Sequence, residues 1–227
     1  MNHAEYIPAA QVLQHLTHVT LAAIVGPTAA GKSSLIDAAL LHEPCMHLVL
    51  SHLSRDPRPG EKDGVDAHFD DRAIMERRMA AGEYVQVAPS VFGDLYATEP
   101  DDYRTDGVML CPIIGQAMPA FRALPFKAVR SIFIVPPDYE TWQQRIKGHG
   151  FTQEQLNRRL VEATHSLIYG LEDETTHLVI NDNLDLATED VIRLALGKSL
   201  PARLQADQSR ARVIVQSLLE RLRDSLR

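Results

Sequence analysis

The sequence has little cysteine, few aromatics, no excess of positive charge and no long apolar run. Two cysteines occur in 227 residues, Cys45 and Cys111, each beside apolar neighbours, so buried thiols are expected rather than a disulfide or a metal site. No stretch approaches the roughly 20 consecutive apolar residues of a membrane-spanning helix, and nothing resembles a signal peptide. The expected setting is cytoplasmic and reducing. Lys and Arg total 23 against 30 Asp and Glu, giving a formal charge of −7. An acidic surface disfavours broad nucleic-acid binding, so any phosphate site must be a local basic pocket. At 45% hydrophobic content the chain can bury one substantial core with a small appended subdomain.

What is present is organised around Ala22-Ala23-Ile24-Val25-Gly26-Pro27-Thr28-Ala29-Ala30-Gly31-Lys32-Ser33-Ser34-Leu35. An apolar run ends at Gly26 and an amphipathic stretch begins after Gly31, which predicts strand, glycine turn and helix. The spacing is that of a phosphate-binding P-loop. Its glycines allow a tight turn in which amide N–H groups and the helix N-terminus face phosphate oxygens. Gly26, Pro27, Thr28, Ala29, Ala30, Gly31, Lys32, Ser33 and Ser34 are the candidate ATP-binding residues. Lys32 would reach the β- and γ-phosphates, and the Ser33 hydroxyl would sit on Mg2+.

Residues 1–18 read as a leader in which Ala9, Val12, Leu13 and Leu16 recur at helical spacing. Its three histidines, His3, His15 and His18, lack a ligand spacing. A helix over 34–41 and a buried strand over 48–50 are expected next. In the segment from Ser51 to Phe69, Arg55 and Arg58 stand three apart on a proline-stiffened turn, able to aim two guanidinium forks at one phosphate. Short apolar runs at 107–112, 131–136 and 179–180 read as further core strands, and 186–196 as a helix. Over 208–227, Val213, Ile214, Val215, Leu218, Leu219, Leu222 and Leu226 lie along a helix, with six arginines between Arg203 and Arg227. This basic amphipathic helix packs on the domain or self-associates, or else meets an anionic membrane or a protein partner.

Several motifs together resemble guanylate kinase in order and spacing. They are Gly26 to Ser34, Ser51 to Phe69, Ala81-Gly82-Glu83-Tyr84, Gly93-Asp94-Leu95-Tyr96-Ala97-Thr98, Ile134-Val135-Pro136-Pro137, Arg145-Ile146-Lys147-Gly148-His149-Gly150, Asn157-Arg158-Arg159-Leu160 and Val179-Ile180-Asn181-Asp182. The P-loop alone is also similar to that of tRNA dimethylallyltransferases, but nothing downstream supports that family. The resemblance implies an α/β fold: a three-layer P-loop core with a parallel sheet, a small nucleotide-monophosphate subdomain and a helical lid. The core would be residues 19–50, 99–137 and 166–197, the subdomain 51–98 with a helix over 74–81, and the lid 138–165. Residues 198–227 lie beyond it.

By resemblance, Lys32, Arg145 and Arg159 act on the transferring phosphoryl group, and Ser51, Arg55, Arg58, Gln86 and Tyr96 bind the acceptor nucleotide. The implied activity is ATP-dependent phosphorylation of GMP or dGMP, with ATP as donor and Mg2+ as cofactor. Departures concentrate at the acceptor. Ala67 replaces a phosphate-binding tyrosine, and Gln86 a glutamate that reads guanine. Cys111 and Ile113 fall where the family has aspartates, and His149 replaces a lid arginine. A carboxylate accepts two hydrogen bonds from guanine's N1 and N2, whereas an amide offers one acceptor and one donor. A related small-molecule kinase with another phosphorylated acceptor, or a catalytically weak binding module, therefore stays open. Retention of the P-loop lysine and four arginines favours an enzyme.

Overall fold

The computed structural model describes residues 6–57, 60–90 and 92–225. Its central sheet is parallel and five-stranded, in the order β2-β7-β1-β8-β9. Those strands are β1 (Thr20–Val25), β2 (Met46–Leu48), β7 (Val108–Pro112), β8 (Ala128–Val135) and β9 (His177–Ile180). β1 is buried on both faces, as its unbroken apolar run requires in the middle of a parallel sheet. Leu21, Ala23 and Val25 join one core cluster and Ala22 and Ile24 the other. The second cluster is covered by α2 (Lys32–His42) and α7 (Leu184–Ala195). The first is covered by α1 (Ala10–Leu16), α4 (Met118–Ala123), α5 (Tyr139–Gly148), α6 (Gln153–Glu172) and α8 (Ala202–Ser225). Three layers result, helices on both faces of one sheet.

A second, four-stranded mixed sheet branches off between β2 and β7, in the order β4-β3-β6-β5. It comprises β3 (His52–Leu53), β4 (His68–Phe69), β5 (Gln86–Pro89) and β6 (Leu95–Thr98), with α3 (Arg72–Ala80) against it. Met75, Met79, Tyr84, Val87, Leu95 and Ala97 give this subdomain a small core of its own. α3 starts two residues before the sequence expectation because Asp71 caps it, its side chain accepting from the Ala73 and Ile74 amides.

Other boundaries also shift. β2 ends at Leu48 instead of spanning 48–50, since pairing of Met46, His47 and Leu48 with β7 fixes it before the chain departs to the small sheet. α2 begins at Lys32, with Gly31 in a left-handed conformation at the cap. α6 continues to Glu172, beyond the expected 165, because its C-terminal half buries Ala163, Ser166, Leu167 and Gly170. Both cysteines are free thiols, Cys111 buried and Cys45 half-buried.

α8 begins directly after Pro201, six residues earlier than its hydrophobic pattern suggests, and its apolar face is taken up by the chain's own domain: Leu204, Ala211, Val215, Leu218, Leu219 and Leu222 are buried. Four of its arginines are engaged as well. Arg203 bonds Asp190, Arg212 the Leu171 carbonyl, and Arg221 Glu140, while Arg210 lies 3.9 Å from Asp182. Gln208 accepts from Leu178 N and donates to Leu178 O, at 2.9 and 2.8 Å. α8 thus closes the exposed edge of β9, a row of backbone groups that would otherwise seek another strand. The helix thus packs on the chain's own domain.

Candidate active site

β1 delivers the chain into the loop 26–31 at the carboxyl end of the sheet, where ligands of open α/β sheets bind. Two glycines are obligatory there for different reasons. A Cβ on Gly26 would lie 2.6 Å from the Ile134 carbonyl oxygen, and one on Gly31, at φ 95°, would lie 2.2 Å from Asn181 Nδ2. Ala29 also has positive φ, 58°.

The loop carbonyls are held from outside. Lys32 Nζ donates to Gly26 O and Pro27 O at 2.7 and 2.8 Å, and Trp142 Nε1 to Thr28 O at 2.8 Å. Asn181 Nδ2 donates to Ala30 O at 2.8 Å, joined by Arg145 Nη1 at 3.4 Å, and Arg145 Nη2 donates to Asn181 O at 2.9 Å. Because C=O and N–H point opposite ways in a trans peptide, engaging the carbonyls turns the intervening amides toward the other side of the loop. Ser33 and Ser34 are exposed on the first turn of α2. Trp142 carries no phosphate-binding signature in sequence, although it sits one turn before Arg145 on α5 and so shares its face, and Asn181 stands within the motif Val179-Ile180-Asn181-Asp182 without an assigned role. Arg159 lies on α6, where its guanidinium is engaged by Glu162 at 2.5 Å.

Beyond the loop lies a narrow, half-open cleft lined by Ser51, Gln86 and Tyr96 together with Ala88, Ala97, Thr98, Cys111, Pro112, Ile113, Ile114, Ala117 and Phe121. Three of the five expected acceptor residues therefore meet at one place. The cavity adjoins the P-loop through backbone: Ile113 N donates to Ile24 O, two residues before Gly26. Among the described residues no lining side chain is charged, and burial pushes the Cys111 thiol well above its ordinary range. Gln86 is 8% exposed and spends an amide N–H on the Val87 carbonyl.

Arg55 stands beside Tyr96, over the Phe69 ring at 5.4 Å, with its fork on Glu61 at 2.7 and 2.9 Å. Burial works to lower its pKa, but the Glu61 hydrogen bonds and the neighbouring Tyr96 outweigh it, so the guanidinium is held more firmly charged than usual. Arg58 lies outside the described residues. Ala67 is buried, leaving no phenol at that position. His149 stacks on Phe151 at the turn between α5 and α6.

Comparison with known proteins agrees with this arrangement. A family profile described as guanylate kinase matches residues 18–196. The guanylate kinase of Thiobacillus denitrificans is 32% identical over 197 residues, covering 80% of this chain and 88% of that protein. That of Hahella chejuensis is 33% identical over 201 residues, covering 86% and 94%. A crystal structure of guanylate kinase from Anaplasma phagocytophilum shares the fold, with TM-score 0.56 and 23% identity over 84% of this chain and 86% of that one. With a profile spanning most of the sequence and relatives above 30% identity along most of their length, the chain belongs to the guanylate kinase family.

Proposed function

We propose that the protein transfers the γ-phosphoryl group of ATP to GMP or dGMP, giving ADP and the nucleoside diphosphate. The observation that carries this is the apposition of a braced P-loop with the cavity where Ser51, Gln86 and Tyr96 converge. In the reaction a phosphate oxygen of the acceptor forms a bond to the γ-phosphorus as the bond to the β-bridging oxygen breaks. Such transfer needs positioning and charge neutralisation more than covalent help.

The loop amides would cradle the donor's phosphates, with Lys32 leaving its two carbonyl partners to follow the β- and γ-oxygens. Arg145, already at the loop, would neutralise charge on the transferring group, and Arg159 would join it when 138–165 closes as a lid. The exposed Ser33 hydroxyl suits Mg2+, a hard ion that keeps most of its shell as water and phosphate oxygen and takes few protein ligands. Mg2+ would supply neutralisation of the β- and γ-phosphates. Arg55, with Arg58 and Tyr96, would hold the acceptor's phosphate, which displaces Glu61 from the guanidinium fork. Ser51 and Gln86 would face the base. Because the base cavity contains no carboxylate, discrimination among purines is expected to be weak, and another phosphorylated acceptor is the second reading.

ADP release measured with ATP, Mg2+ and a panel of GMP, dGMP, AMP and IMP tests this. Turnover fastest with GMP or dGMP, and lost acceptor affinity with retained ATP affinity in Arg55→Ala, are the expected results. Absence of turnover with every nucleoside monophosphate would refute the proposal.

A further inference from the structure

One cluster of titratable side chains belongs neither to the P-loop nor to the cavity lining. His52 on β3 is 4% exposed. It is the register partner of His68 on the parallel strand β4, so both imidazoles leave the same face of the small sheet, and they stack with centroids 4.6 Å apart. On one side His52 Nδ1 lies 2.5 Å from Asp70 Oδ2. On the other, Nε2 faces Glu99 Oε1 at 3.0 Å and Asp102 Oδ2 at 3.8 Å.

Despite that closeness, Nε2 makes no hydrogen bond with any described residue: Glu99 Oε1 lies off its bonding direction and Asp102 Oδ2 is too distant. A buried ring nitrogen aimed at two carboxylates without bonding either is electrostatically unfavourable unless the ring carries a second proton or a cation lies between them. The balance of charge agrees. Asp70, Glu99 and Asp102 bring three carboxylates, against which, among the described residues, Arg78 is the one Lys or Arg paired, on Glu99, and it is shared with Glu83.

We propose that His52, His68 and Asp102, with Glu99 as a fourth donor, form a site for a divalent transition metal of the zinc class. Ligand atoms of the two histidines and Asp102 already lie within 4.8 Å of one another. Tetrahedral zinc with N and O donors separates its ligand atoms by about 3.3 Å; the His52 distances of 3.0 and 3.8 Å bracket the requirement, and His68 must turn out of its stack on His52 to bring its ring nitrogen onto the same ion. Two imidazoles with carboxylates select zinc or cobalt over Mg2+, which prefers an all-oxygen shell. Asp70 supplies the outer support such sites use: a carboxylate on the far nitrogen fixes the tautomer that leaves Nε2 free to ligate.

The ion would tie β3 and β4 to the turn 99–102, where the small sheet returns to the core, next to Ser51 and Thr98 of the cavity. Its role is structural and independent of the kinase reading. The test uses the full chain, stripped with chelator and titrated with Co2+ and then Zn2+, followed by visible absorption and melting temperature. One equivalent of Co2+ giving d–d bands, displaced by Zn2+ and accompanied by a higher melting temperature, is expected. In His68→Asn and Asp102→Asn, folded by circular dichroism, the bands should vanish. In Asp70→Asn, affinity should fall roughly 10- to 100-fold. No bands in the unmodified protein, or bands unchanged in His68→Asn, would overturn the site and leave His52 as an imidazolium bridging its acids.

Discussion

Gly31→Ala separates two demands that the P-loop makes on one residue. At φ 95° an L side chain costs about 1–2 kcal/mol from local sterics alone. The new Cβ would also lie 2.2 Å from Asn181 Nδ2. Asn181 is 6% exposed and donates to the carbonyl of fully buried Ala30, so moving it leaves that acceptor with the longer Arg145 Nη1 bond at 3.4 Å, at a cost of about 1–3 kcal/mol. The total is about 2–5 kcal/mol. If the loop keeps its shape the loss appears as stability; if the loop yields, it appears in ATP affinity, at about 1.4 kcal/mol per tenfold. Gly93→Ala is the control, with φ 87° and nothing within 4 Å of the Cβ it would gain, so that only the first cost applies. Urea denaturation and ATP titration of both variants give the two sums. The expectation is a combined loss for Gly31→Ala larger by about 1–3 kcal/mol, with ATP affinity unaffected in Gly93→Ala. Equal losses in the two variants would refute the idea that Asn181 props the loop.

Lys32→Ala should lower turnover at least about 100-fold while shifting the melting temperature by no more than about 4 °C, since the ammonium would serve bound phosphate and its bonds to the Gly26 and Pro27 carbonyls lie at the half-buried surface. Retained turnover contradicts the kinase reading. Gln86→Glu should raise the kcat/KM ratio of GMP over AMP by roughly tenfold or more, because a carboxylate pairs with guanine's N1 and N2 donors and repels adenine's N1. An unchanged ratio means that Gln86 does not face the base. Gln208→Ala should destabilise the fold by about 1–3 kcal/mol, as both backbone groups of buried Leu178 lose their partner. A loss below about 0.5 kcal/mol would show that water replaces the glutamine.

What the sequence determined by itself is what short-range chemistry encodes. The run from Ala22 to Val25 reads as a doubly buried strand, and Gly26 to Ser34 as a tight glycine turn with the spacing of a phosphate loop, because both follow from neighbouring residues and backbone sterics. The amphipathic pattern of α8 and the arginines near 55 were legible for the same reason. Tertiary structure decided the rest. Trp142 and Asn181 reach the loop across 114 and 151 residues, and no local pattern marks a side chain that will meet a distant carbonyl. Part of the basic face of α8 is taken up by Asp190 and Glu140 from other elements, with Asp182 3.9 Å from Arg210. Ser51, Gln86 and Cys111 became one cavity only when the small sheet folded against the end of β7. His52 and His68, sixteen positions apart, became neighbours only because register set them side by side on parallel strands. Strand pairing joins residues by hydrogen-bond geometry rather than by sequence distance, and that geometry is absent until the chain has folded.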